Sequence, residues 1–127
     1  MFNIKKKKIH RLMVVTLKGD VVLGECQELE TFLVQLQKEG KYCVILDCKD
    51  LEGMSTKGMK VILRLSEVFR KNGGDIKMIQ VQEKLHKVFR ICGLSQMIEI
   101  VASLEDGIQR FSSGVGHIEK HLLWKMS

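Results

Sequence analysis

Val44-Ile45-Leu46-Asp47-Cys48-Lys49-Asp50-Leu51-Glu52-Gly53-Met54-Ser55-Thr56-Lys57-Gly58-Met59 is the stretch from which the fold is read. It opens on a short β-branched run, as a buried parallel strand does, and passes through a polar loop. It then enters a pattern that sets Met59, Ile62, Leu65 and Phe69 on one face at helical spacing. The reading is strand, loop, helix. In an open α/β sheet, ligands and partners are met beyond the C-terminal ends of the strands, so the adjacent hydroxyls Ser55 and Thr56 occupy a position where a signal can be read or written.

Working outward, Glu25 to Glu39 place Cys26, Leu29, Phe32, Leu33 and Leu36 on one side at spacings of three and four, which predicts an amphipathic helix ended by Gly40. Before it, strands from Phe2 to Ile9 and from Leu12 to Leu17 form a hairpin turning at His10-Arg11 and closing at Gly19-Asp20. On the other side, Asn72-Gly73-Gly74 stops the helix that starts after the central loop. A strand Ile76 to Val81 follows, then a helix from Glu83 to Cys92 with Leu85, Val88, Phe89 and Cys92 inward and Gly93 as its cap. Ile98 to Val101 reads as a strand, and Ser103 with Asp106 opens a last helix to Phe111. This order predicts an α/β domain with a mixed sheet of four or five strands, the later ones parallel, covered by about four helices. Its expected core includes Val44, Ile45, Leu46, Ile62, Leu65, Phe69, Ile79, Phe89 and Ile100. Residues 1–111 form the predicted domain and 112–127 a tail, whose Leu122-Leu123-Trp124 segment is expected to dock on the domain or on another subunit.

A length of 127 residues, with 45% hydrophobic and 28% charged side chains, suits one soluble domain with a real core. No apolar run reaches membrane-spanning length, and His10 and Arg11 interrupt the place where a secretory signal needs its apolar stretch, so a cytoplasmic location is expected. Cys26, Cys43, Cys48 and Cys92 form no CxxC pair and read as reduced, mostly buried thiols. The net charge of +6 has a definite origin. Lys5, Lys6, Lys7, Lys8, Arg11 and Lys18 all precede the first acid, Asp20, and the rest of the chain is formally neutral. Four lysines without interleaved aromatics read as a solvated edge strand, so no nucleic-acid partner is expected.

Residue patterns for catalysis are sparse in the chain. Gly53 to Gly58 lacks the Walker A order, in which lysine precedes the hydroxyl after a longer glycine loop. His117 and His121 share a helical spacing, but their Glu is misplaced for a zinc-protease motif and no third ligand accompanies them. No histidine is set beside the serine or cysteine candidates, and Asp47, Asp50 and Glu52 read as loop acids facing water. The expectation is a protein without enzymatic activity, metal or cofactor.

Leu17-Lys18-Gly19, Val44-Ile45-Leu46-Asp47, the hydroxyl pair before Gly58, Asn72-Gly73-Gly74 and Leu85-His86-Lys87-Val88-Phe89-Arg90-Ile91-Cys92-Gly93-Leu94 together resemble a STAS domain, as in single-domain anti-sigma factor antagonists, over residues 3–111. The resemblance implies a non-enzymatic switch in bacterial transcription signalling. The family's loop typically reads Asp-Ser-Ser-Gly or a close variant with Thr, and its first hydroxyl is phosphorylated by an anti-sigma factor or related serine/threonine kinase-fold partner. The matching positions are Ser55, Thr56, Lys57 and Gly58, which makes Thr56 the counterpart of the acceptor and Ser55 the alternative. Ser55 stands where the family has aspartate and Lys57 replaces its second hydroxyl; after the second strand, Gly19-Asp20-Val21-Val22 replaces Gly-Glu-Leu-Asp. The implied partner surface is Ser55, Thr56, Lys57 and Gly58, continued along the helix by Lys60, Arg64 and Glu67. Read from the residues alone, Ser55 or Thr56 is equally a helix N-cap. Two other readings stay open beside the switch: a structural or adaptor STAS subunit of a larger signalling or transport complex without phosphorylation, and a small-molecule binder. Whether the chain forms a homo-oligomer is also open.

Overall fold

Strand β1 (Asn3–Ile9) folds back through His10-Arg11 onto β2 (Leu12–Val21). It is antiparallel to β2 and lies at the sheet edge, with Lys5 to Lys8 exposed along it, where their charges hinder pairing with another chain. The computed structural model describes residues 1–112. The predicted tail, apart from Ser112, lies outside the described residues, and with it His117, His121 and Leu122-Leu123-Trp124.

After β2 come α1 (Leu23–Lys38), β3 (Cys43–Met54), α2 (Thr56–Lys71), β4 (Asp75–Ile79) and α3 (Glu83–Ile91), then a single turn α4 (Leu94–Met97), β5 (Ile100–Val101) and α5 (Leu104–Ser112). The sheet order is β1-β2-β3-β4-β5, and all neighbours from β2 onward are parallel. This is the mixed α/β sheet expected, with five strands. Alternation along the strands sorts the side chains into two layers. Met13, Val15, Leu17, Val44, Leu46, Ile76 and Met78 meet α1, α2 and α3 in the larger layer, whereas Leu12, Val14, Ile45 and Ile79 meet Phe111 of α5 in the smaller.

Three expectations are corrected. The polar loop after Leu46 is strand: β3 continues to Met54, with Cys48, Leu51 and Met54 buried and with Lys18 to Val21 of β2 as its partner. Second, Val88 and Cys92 are exposed, because the buried line of the short α3 runs only through Leu85 and Phe89. Gly93, at φ +82°, turns the chain so that Leu94 enters the core in place of Cys92. Third, Ile100 is only partly buried, on a two-residue edge strand.

The smaller layer also holds charges that the apolar reading of Ile76 to Val81 passed over. Lys77 is buried, its Nζ 3.2 Å from Asp75 Oδ2, 3.0 Å from Glu99 Oε1 and 4.8 Å from the centre of the Phe111 ring. Arg70 Nε donates to Asp75 Oδ1 at 2.8 Å, and Arg110 lies 2.6 Å from Glu99. The network joins α2, β4 and α5. Burial alone would raise the Glu99 carboxyl, but the hydrogen bonds and charges of Lys77 and Arg110 outweigh it and hold the group below its ordinary value.

Two outcomes follow for stability. Phe69 is fully buried and meets Tyr42 edge-on at 5.7 Å, so Phe69→Ala is expected to cost about 3–5 kcal/mol in urea denaturation. A loss under about 0.5 kcal/mol would contradict its place in the core. Because the folded-state pKa of Glu99 is depressed, its stabilisation is present above the unfolded value near 4.5 and is lost as pH falls through the lower folded value. Glu99→Gln should therefore flatten the decline of stability with acid in that window, and an unchanged pH profile would show that Glu99 does not contribute.

Candidate functional site

The parallel ladder of β2 and β3 ends by delivering Ser55 to the start of α2. Val21 O accepts the Ser55 N–H at 2.8 Å, one residue beyond the last paired position, Met54. Ser55 then adopts extended backbone angles, φ −74° and ψ 163°, and its Oγ accepts the Gly58 N–H at 3.2 Å. That makes Ser55, and not Thr56, the N-cap. Cys26 of α1 holds the same hydroxyl from the other side, with Sγ 3.2 Å from Ser55 Oγ. The Ser55 oxygen is thus half-buried and already engaged twice.

Thr56, the first residue of α2, is exposed. The first turn of α2 has no acidic residue, so the positive end of the helix is not opposed by a carboxylate of its own, and Lys57 is exposed beside it. Gly58 fixes how closely this turn approaches the sheet: a Cβ there would lie 2.8 Å from Met54 Cγ and 3.1 Å from Val21 Cγ1. The loop therefore cannot rise off the strand ends without opening that contact.

The remaining predicted surface residues, Lys60, Arg64 and Glu67, are all exposed and lie along the outer side of α2. They do not form an evenly basic face. Arg64 pairs with Glu30 of α1, which leaves Lys57 and Lys60 as the cations nearest the helix start. Two residues of this end were missed from sequence. Val22 is 47% exposed and Leu23 82% exposed, directly after the Val21 carbonyl that receives Ser55. Leu23 has the phase of the buried stripe through Cys26, Leu29 and Leu33, yet at the start of α1 it stands clear of the core. The available signal was the unbroken Val21-Val22-Leu23 run at the strand end, of which the structure covers only Val21.

Among the described residues no group of three His, Cys, Asp or Glu side chains could hold a metal ion, and no helix is long and apolar enough to cross a membrane. Cys48 is buried in apolar surroundings, which together with Asp47 pushes its thiol well above the ordinary range; Cys26, Cys43 and Cys92 are likewise free thiols.

A mixed five-stranded sheet with a capped helix whose exposed first residue stands at the strand C-terminal ends defines a small α/β domain. The chain belongs to the STAS domain family, which it matches over residues 3–107. It is 28% identical over 110 residues to the anti-sigma-B factor antagonist of Bacillus subtilis (strain 168), covering 84% of this chain and 97% of that protein. The fold is shared with the anti-sigma factor antagonist SpoIIAA in its unphosphorylated form, at a TM-score of 0.75 and 18% identity, covering 87% of this chain and 97% of that one. It is also shared with the phosphorylated form of SpoIIAA from Bacillus, at a TM-score of 0.65 and 18% identity, covering 87% and 99%.

The two hydroxyls should separate cleanly in stability measurements. Ser55→Ala removes a cap and is expected to cost about 1 kcal/mol, while Thr56→Ala should stay within about 0.5 kcal/mol of the parent. Reversed values in denaturant unfolding would assign the cap to Thr56.

Proposed function

We propose that this protein is a non-enzymatic partner-switching regulator that acts as an anti-sigma factor antagonist, with Thr56 as its phosphorylated residue. The observation that carries the reading is the division of labour at the start of α2. The Ser55 hydroxyl is held by Gly58 N–H and Cys26, whereas Thr56 is exposed on the first turn of a helix in a STAS domain and has no side-chain hydrogen bond among the described residues. Its partner is an anti-sigma factor or related serine/threonine kinase-fold protein, in keeping with the similarity to the anti-sigma-B factor antagonist. That partner covers Ser55 to Gly58, the outer side of α2 through Lys60, Arg64 and Glu67, and the apolar pair Val22 and Leu23.

The switch follows from electrostatics. A phosphate on Thr56 adds about −1.5 to −2 charges at a helix N-terminus, where backbone N–H groups, the dipole and Lys57 favour an anion, so the domain stays folded. Under a bound partner the same phosphate loses its water, and an unpaired charge buried at an interface opposes binding. Phosphorylation therefore releases the partner without unfolding the regulator.

Titration of the kinase-fold partner with unmodified and enzymatically phosphorylated protein tests this. Phosphorylation should weaken affinity by at least about tenfold. Thr56→Glu should weaken it in the same direction with unfolding free energy unchanged within about 0.5 kcal/mol, and Thr56→Ala should bind but not be switched. Equal affinities of the two forms would remove Thr56 from the mechanism.

A further inference from the structure

The opposite end of the sheet holds a cavity that the switch does not use. The starts of β2, β3 and β4, the β1–β2 hairpin and Phe111 of α5 surround a volume of about 540 Å³, within the ~300–1,000 Å³ usual for small-molecule sites. Part of its lining is apolar: Leu12, Met13, Tyr42 and Phe111 contribute to it. Its charge is unbalanced, because Lys8, Arg11, Lys41 and Lys77 line it against only two carboxylates, Glu39 and Asp75.

Those carboxylates are already committed. Glu39 lies 3.1 Å from Lys41 Nζ, and both oxygens of Asp75 are taken, Oδ1 by Arg70 Nε at 2.8 Å and Oδ2 by Lys77 Nζ at 3.2 Å. Lys8 and Arg11 have no ion pair among the described residues and remain as the uncompensated charge at the mouth. The wall itself is mixed in charge: burial pushes the Cys43 thiol up, Arg11 and Lys77 pull it down, and Asp75 pushes it up. The chain also spends backbone freedom here, since His10, a non-glycine residue, is held at φ +55° beside Arg11 at the hairpin tip.

We propose that this cavity binds a small organic anion, with its apolar or aromatic body against Leu12, Tyr42 and Phe111 and its phosphate or carboxylate on Arg11 and Lys8. Arginine suits such a head group because its planar fork donates two parallel hydrogen bonds. The bound anion supplies the negative charge that the lining lacks. The site lies at the opposite end of the sheet from Thr56, so ligand and partner can be held at once.

Phenyl phosphate, inorganic phosphate and benzyl alcohol supply the whole ligand, its anion and its ring as separate probes for titrating the full chain labelled with ¹⁵N. Phenyl phosphate at up to about 10 mM should give saturable shifts at the amides of Tyr42, Cys43 and Gly74, and each half alone should bind at least about tenfold more weakly. Arg11→Gln should weaken phenyl phosphate about tenfold, while Lys5→Gln, equal in charge change but outside the lining, should leave it unchanged. Absence of saturable shifts, equal binding by either half, or the same loss in both variants would overturn the proposal.

Discussion

The hydrogen bond from Ser55 N–H to Val21 O is the constraint on which the candidate site depends. It exists only because β2 and β3 stay paired well past the point where β3 parts from β4, whose register ends at Asp47 and Ile79. The extension buries Leu51 and Met54, and Met54 in turn packs where a side chain on Gly58 would have to stand. Ladder, glycine and cap thus fix one another. The result is a helix start with its structural hydroxyl turned inward and its neighbour turned out.

Two charge centres then give the domain two distinct ends. Beyond the strand C-termini the helix start offers backbone N–H groups, Lys57 and Lys60 without a facing acid in the first turn. Toward the strand N-termini, Asp75, Lys77, Arg70, Glu99 and Arg110 form a linked network that holds α5 against β4, and the uncompensated cations Lys8 and Arg11 lie outside it. Removing a partner's charge leaves the buried Lys77 ammonium uncompensated. Through Glu99, whose carboxyl is held below its ordinary value, the smaller layer is coupled to pH, while the larger layer of α1, α2 and α3 rests on apolar packing.

Much of the fold was legible because most elements keep one period. The stripe Met59, Ile62, Leu65 and Phe69 and the run Val44 to Leu46 are buried as their spacing requires. The second half of β3 was not legible. Two register shifts, between Thr16 and Lys18 and between Gly19 and Asp20, give β3 an extra residue each time, so its buried side chains move from spacing two at Val44, Leu46 and Cys48 to spacing three at Leu51 and Met54. A strand read with period two becomes a polar loop on paper. At the site, sequence located both hydroxyls but could not choose the cap, because that depends on which oxygen lies beneath the Gly58 N–H and beside Cys26. Val22 and Leu23 were missed for a related reason: exposure at a helix start depends on where the neighbouring strands end.

The central claim is that Ser55 is structural and Thr56 carries the signal. Its most direct test is intact-mass measurement and peptide mapping of the protein isolated from its own cells under several growth conditions. The account predicts a species heavier by one phosphate, mapped to Thr56, with Ser55 unmodified; a phosphate on Ser55 would contradict it, as would the absence of any phosphorylated species.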